Sequence, residues 1–283
     1  RAIPACRTFP GQFEIRDDMS EPLHFPATTP PAPGEVTPIA PGVLWLRMKL
    51  PFALDHINLW LIEDGPGWTA VDSGFSLAET KEAWERIFAE HLGGRPITRV
   101  IVTHFHPDHI DGIKTKDGDK VFANAEILVP EPEWKYWMDE SNMRGVKDNV
   151  HLYFLNARRI FKDIAKEVSQ YRPGTEVAPG IESIAAYGHT PGHTAFAIHS
   201  GNQSMMAMSD AVRNPYLFAR YPDWQPIFDM DGPTAVKSRR RMLDRAAADR
   251  MLVEAYHFPF PACGHIVKTR TGYELVPVMW SPL

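Results

Sequence analysis

From Gly42 onward the chain alternates short apolar runs with turn-forming residues. Val43 to Met48, Ile57 to Ile62 and Trp68 to Val71 have strand length and strand composition, and Asp64-Gly65-Pro66-Gly67 between the last two is a turn. Together they predict a β-meander. After Asp72-Ser73-Gly74 the period becomes helical: Leu77, Trp84, Ile87, Phe88 and Leu92 form one stripe, Ser76 and Glu79 have capping-box spacing, and Gly93-Gly94 stops the helix. Arg99 to Thr103 then reads as a short buried strand running into His104. Helical spacing returns around Glu133 to Met138 and over Asp148 to Gln170, where Val150, Phe154, Ala157, Phe161, Ile164 and Val168 recur. Strands are expected again at Ile181 to Ala186, Ala195 to His199 and Met205 to Met208, followed by a helix from Pro233 to Ala248 and a last buried strand from Met251 to Tyr256. Within that helix, Arg239-Arg240-Arg241 reads as a solvated face. Strand, helix, strand and polar loop in this order describe an α/β arrangement with a site at the carboxyl ends of strands.

Residues 1 to 42 have a different character. Nine prolines there remove backbone donors and favour extended structure. The reading is a proline-rich extended arm, lying on the body or on a neighbouring subunit, or else a loose terminus; residues 43 to 283 then form the one folded domain. Across all 283 residues, 44% hydrophobic content and a formal charge of −5 describe an ordinary globular protein. Cys6 and Cys263 are too few for a disulfide framework, and one bridge or two buried thiols are both compatible with them. No apolar run approaches the ~18 residues of a membrane helix. The absence of a basic stripe argues against nucleic acid and anionic membranes as main partners. A first residue of Arg1 reads as a processed or trimmed chain, which leaves localisation open between the cytoplasm and the periplasm or secretion.

Candidate chemistry concentrates in the histidines. Seven of the twelve fall in three short clusters, each in a loop after or between expected strands. The first, Thr103-His104-Phe105-His106-Pro107-Asp108-His109, puts three imidazoles and a carboxylate within six residues. Packing cannot satisfy that many polar rings, and these nitrogen and oxygen ligands suit Zn²⁺ or a similar divalent ion. The second is the tight turn Gly188-His189-Thr190-Pro191-Gly192-His193. The third begins at His257 and ends at His265. Asp210 closes the Met205 to Met208 strand, where a bridging carboxylate would sit, although alone it reads as a cap or turn residue.

The H-x-H-x-D-H pattern, the G-H-T-P-G-H turn, the strand-end Asp and the terminal His, in that order, resemble the metallo-β-lactamase superfamily. The second half is most similar to the methyl parathion hydrolase type of organophosphate and aryl-ester hydrolases, through the His257 to His265 block, Gly272-Tyr273, Val276-Pro277-Val278 and the Asn124-Ala125-Glu126 to Trp137 segment. The resemblance implies a four-layer αββα sandwich with two divalent metal ions at one edge, most often Zn, with Mn, Co or Fe as alternatives. By match, His104, His106 and His193 hold the first ion and Asp108, His109 and His257 the second, while Asp210 and a hydroxide bridge them. Asp72 matches a position that supports the metal loop, and His189 and His265 are read as supporting or structural residues.

The implied activity is hydrolysis of small uncharged esters, lactones or phosphotriesters, with Asp108 and Asp210 orienting the nucleophile and relaying its proton. Trp137, Tyr153 and Phe154 are candidates for an apolar leaving-group pocket, with core packing as their other reading. Acylhomoserine lactonase and thioester hydrolase share the metal site, β-lactamase ranks behind them, and a non-catalytic metal-binding module is the reading from another class. The expected partner is a small molecule, and a homodimer follows by analogy with the family.

Overall fold

The computed structural model describes residues 29 to 278. Fourteen strands form two seven-stranded sheets. The first runs β1 (Val36–Ala40), β2 (Val43–Lys49), β3 (His56–Asp64), β4 (Gly67–Val71), β5 (Ile97–Ile101), β6 (Glu126–Pro130) and β7 (Val168–Tyr171) in sequential order. Its first four strands pair antiparallel, while β4 to β7 pair in parallel. The second contains β8 (Glu176–Ala178), β9 (Ile181–Ala185), β10 (Thr194–Ser200), β11 (Gln203–Ala207), β12 (Leu252–Glu254), β13 (Cys263–Lys268) and β14 (Tyr273–Pro277), also in sequential order. There only β11 and β12 are parallel, because the helix α5 (Gly232–Ala248) makes the crossover between them.

Alternation along the strands builds the layers. On β2 and β3, Val43, Trp45, Trp60 and Ile62 face the second sheet, where they meet Ile181, Phe196, Ile198 and Met205. The intervening Leu46, Met48, Ile57, Leu59 and Leu61 face outward into a second layer with α1 (Ala78–Glu90), α3 (Glu131–Met138) and α4 (Asp148–Phe161), while the single-turn helix α2 (Pro107–Ile110) follows β5. On the far side, Ala195, Ala197 and Met206 pack under Met242, Leu243 and Ala246 of α5. Helices, sheet, sheet and helix therefore stack as the αββα sandwich. Both faces of the central strands are buried, which is why they read as continuous apolar runs.

Several local expectations need correction. The α1 helix starts at Ala78, with Leu77 at its cap and no side-chain capping bond; Glu79 is instead paired with Lys49 at 2.9 Å. The long helical stripe ends at Phe161, passes through a 3₁₀ segment at Lys162–Glu167, and becomes β7. Val168 continues the helical spacing, but its backbone pairs with Ile127 of β6. Residues 36 to 40, within the proline-rich stretch, form edge strand β1, where the missing donor of Pro38 is tolerated. Residues 1 to 28, with Cys6 and four of the nine prolines of the expected arm, lie outside the described residues. Cys263 is buried between the sheets, and burial pushes its thiol up to about 12.

Arg239 overturns the solvated reading of its triplet. It occupies the apolar stripe of α5 and is 1% exposed. Its guanidinium donates to the carbonyls of Ala211, Pro222 and Trp224 and to Asp229 Oδ2. Arg240 does reach the surface, where it pairs with Asp223. Among the described residues, no helix is long and apolar enough to cross a membrane.

Candidate metal centre

Every ligand candidate leaves the carboxyl end of a strand at one edge of the sandwich. The loop after β5 carries His104, His106, Asp108 and His109. The turn between β9 and β10 carries His189 and His193, the loop after β11 carries Asp210, and the loop after β12 carries His257. The first set comes from one sheet and the rest from the other.

Two groups of donor atoms converge, each with all its atoms within 4.8 Å of one another: His104, His106, His189 and Asp210 in the first, and Asp108, His109 and His257 in the second. Asp210 stands between them. One of its oxygens lies 3.3 Å from His109 Nε2, and the other lies 3.3 Å from His189 Nε2 and 3.2 Å from His257 Nε2. This grouping differs from the sequence reading at one position. His189 faces the site, whereas His193 Nε2 accepts the Asp210 amide at 3.2 Å and its Nδ1 has no partner among the described residues. Both rings remain in the cluster, with His104 4.9 Å from each.

Burial and mutual repulsion among the imidazoles hold His104 well below the ordinary histidine range. Burial likewise depresses His106 and His193. For His109 burial works against the charged form, yet Asp72, Asp108 and Asp210 outweigh it and raise the ring to about 10. Burial opposes ionisation of Asp210 too, but His257, His109 and Arg213 hold it well below the carboxylate range. Neutral His104, His106 and His193 rings and an ionised Asp210 are ready for a divalent cation, whereas His109 and His189, which neighbouring carboxylates favour in the charged form, would give up a proton to one. Moreover, His104 Nε2, His109 Nε2 and Asp210 Oδ1 are buried with no hydrogen-bond partner among the described residues, so the donor set fits metal ions.

Buried groups fix each loop. Asp72 accepts hydrogen bonds from Thr103 N at 2.8 Å, Thr103 Oγ1 at 2.7 Å and His109 Nδ1 at 2.8 Å, leaving His109 Nε2 to face the site. Asn58, a polar interruption in the apolar run of β3, donates to the carbonyls of Tyr256 and Phe258 on either side of His257. Tyr256 donates to Asp108 O at 2.5 Å and stacks on His109 at 3.8 Å. Asp229 accepts from His189 Nδ1 at 3.0 Å and is itself held by Arg239. The sequence reading missed Asn58, Asp229 and Arg239. Their signal was a polar residue in an apolar run or stripe.

The expected aromatic pocket separates. Tyr153 is half-buried, 4.8 Å from the His106 ring. Trp137 is fully buried behind the site, and Phe154 packs against it in the core at 4.6 Å, so neither opens to a ligand. His265 is exposed on β13 with its Nδ1 bonded to the Met251 carbonyl, and the structure does not bring it to the site. An unexpected cation does reach the site: Arg213 Nε lies 3.5 Å from Asp210, and its guanidinium lies 4.3 Å over the Phe228 ring. Phe228 belongs to a segment that leaves Tyr216, Leu217, Tyr221, Trp224, Ile227 and Met230 exposed as well.

The family model of the metallo-beta-lactamase superfamily matches residues 53 to 253, and the chain belongs to that superfamily of hydrolases. Its members are typically dependent on two metal ions and act on small molecules. Among similar proteins, the N-acyl homoserine lactonase of Bacillus cereus is 21% identical over 253 residues, 80% of this chain and 88% of that protein. The uncharacterized protein YobT of Bacillus subtilis strain 168 is 22% identical over 69% of this chain and 81% of its own. Of solved structures, AbOPH, a hydrolase in the beta lactamase superfamily, is similar in fold with a TM-score of 0.72 at 24% identity, covering 80% of this chain and 81% of that one. AidC, a dizinc quorum-quenching lactonase in complex with a product N-hexnoyl-L-homoserine, has a TM-score of 0.71 at 25% identity over 78% of this chain and 79% of its own.

Proposed function

We propose that this chain is a two-metal hydrolase of small esters, lactones or phosphotriesters bearing an apolar group. The observation that carries the reading is the pair of donor groups with Asp210 in the first and within 3.3 Å of His109 and His257 in the second, set beside an exposed apolar segment. His104, His106 and Asp210 with the 189–193 turn would hold one ion, and Asp108, His109 and His257 the other. Two divalent ions, with zinc first among them, supply a lowered water pKa and polarisation of a carbonyl or phosphoryl oxygen. Within that field the protein's own groups have separable tasks. Asp108 and Asp210 accept hydrogen bonds from an attacking water and orient it, and either can carry its proton towards the leaving oxygen. Arg213, stacked on Phe228, places a fixed positive charge where negative charge develops on the substrate. Tyr153 and the apolar segment around Phe228 exclude water and bind the apolar portion.

Lactones come first in testing because two of the similar proteins are lactonases; aryl esters and phosphotriesters follow from the resemblance to the methyl parathion hydrolase type. The test is exhaustive dialysis against a strong chelator, then add-back of Zn²⁺, Mn²⁺ or Co²⁺, with turnover measured on all three substrate classes. Activity is expected to vanish and return. Hydrolysis that survives complete removal of metal sinks the reading.

A further inference from the structure

Glu133 stands near the start of α3, one turn before Trp137, and is wholly buried. Its two oxygens face two different ligand segments. Oε2 accepts from the backbone N–H of Phe105 at 3.0 Å and from Trp137 Nε1 at 2.6 Å, while Oε1 accepts from the backbone N–H of Gly192 at 2.6 Å. Phe105 separates His104 from His106, and Gly192 immediately precedes His193, three residues after His189. One carboxylate thus joins the metal-facing loop of the first sheet to the metal-facing turn of the second. From this we infer that Glu133 is a positioning residue that sets the distance between these two histidine segments and so tunes the first metal site. The inference rests on the two-metal reading of the site.

The chemistry of the contact leaves little alternative to a carboxylate. All three named partners are N–H donors, and they need acceptors on both sides of the side chain; ionised Glu is acceptor-only at both oxygens. Burial pushes the Glu133 carboxyl up, and the hydrogen bonds from Gly192, Trp137 and Phe105 pull the other way by stabilising the charge. The backbone has been shaped to bring the turn this close. A Cβ on Gly192 would lie 2.4 Å from the backbone nitrogen of Glu133, so the turn rests directly on the first turn of α3. None of the donors to Glu133 is itself a metal-ligand candidate. Its effect on the metal is therefore carried by the two loops.

Glu133→Gln keeps the volume but has one acceptor oxygen, so in either orientation its NH₂ opposes an N–H and one of the two loops is released. Metal binding to purified protein is measured by competition with a chelating indicator and by the visible spectrum of the Co²⁺-substituted form. Outer groups that orient ligands contribute about ten- to a hundredfold in metal affinity. The expected result is a loss of that size at one of the two sites, with a changed Co²⁺ spectrum and the second ion still retained. Ile87→Ala, which loosens the core under α1, should lower Tm and leave both affinities unchanged. Gly192→Ala, which drives the turn off α3 with Glu133 intact, should weaken the same single site. A Glu133→Gln protein that loses thermal stability but binds both ions with wild-type affinity overturns the inference. Wild-type protein that binds fewer than two ions overturns the two-metal reading itself.

Discussion

The floor of the metal site and its rim are built by opposite rules. At the floor, His104, His109, His189 and His193 are wholly buried, and each candidate ligand loop is tied by a buried polar partner: Asp72, Glu133, Asn58, Asp229 or, for the loop of Asp210, Arg239. At the rim, residues 216 to 230 turn large apolar side chains outward, with Ile227 93% exposed. The floor has little freedom, because its supporting side chains are bonded to particular neighbouring groups. The rim, by contrast, makes few side-chain commitments. Under the proposed function the reaction belongs to the floor and the choice of substrate to the rim, so changes in the rim are expected to alter specificity without disturbing the metals.

That division can be broken most directly at Asp210. Asp210→Ala removes the carboxylate between the two donor groups, and kcat/KM is expected to fall about a thousandfold, a loss of several kcal/mol of transition-state stabilisation. A variant with more than a tenth of wild-type activity would place the chemistry elsewhere. Arg239→Met tests whether the exposed rim is anchored from within. It strands Asp229 in the interior, and breaking such a buried pair destabilises by about 3 to 5 kcal/mol, read as a drop in the urea midpoint. A loss under ~1 kcal/mol would show that the rim segment holds its place unaided.

Asp72→Asn should weaken the ion held by Asp108, His109 and His257 about ten- to a hundredfold, by the logic of a carboxylate that orients a ligating imidazole. Metal titration checks it, and unchanged affinity would make Asp72 a turn residue only. The same titration on His189→Ala and His193→Ala decides which ring of the turn is the ligand. From the geometry, His189→Ala is expected to lose an ion; retention of both by His189→Ala and loss by His193→Ala would restore the sequence assignment. The smallest effect is expected at the rim itself. Phe228→Ala should raise KM for apolar substrates by about tenfold or less, the value of a partly buried aromatic contact, with kcat and metal content nearly unchanged. A fall in kcat instead would move Phe228 into the floor.

Much of this architecture is written in the order of residues. Strands such as β3 and β10, buried on both faces, declare themselves as apolar runs, and histidines crowded after a strand have few explanations other than metal. Other parts are hidden because sequence reasoning prices polar residues as surface. Glu133 shares a helix face with Trp137, and Arg239 shares one with Ala235, Met242 and Ala246, positions that pattern alone would assign to the core. Both are buried because neighbouring backbone groups, distant in sequence, satisfy them. β7 was misread for a related reason: Val168 completes a helical stripe, and only its pairing with β6 reveals a strand. The aromatic pocket failed because Phe154 and Tyr153 are adjacent on one helix and point to different sides, one to the core and one to the site.

The ligand candidates come from both sheets, four from the loop after β5 and the others from the loops after β9, β11 and β12. What keeps the two halves in register is the layer of Trp45, Trp60, Phe196 and Met205 between the sheets. The metal centre is in effect a gauge across the seam of the sandwich, closed only when the two slabs are seated at one depth and one angle. Trimming Phe196 in the middle of that layer should therefore register first as ions leaking from the edge, at temperatures where the strands are still intact.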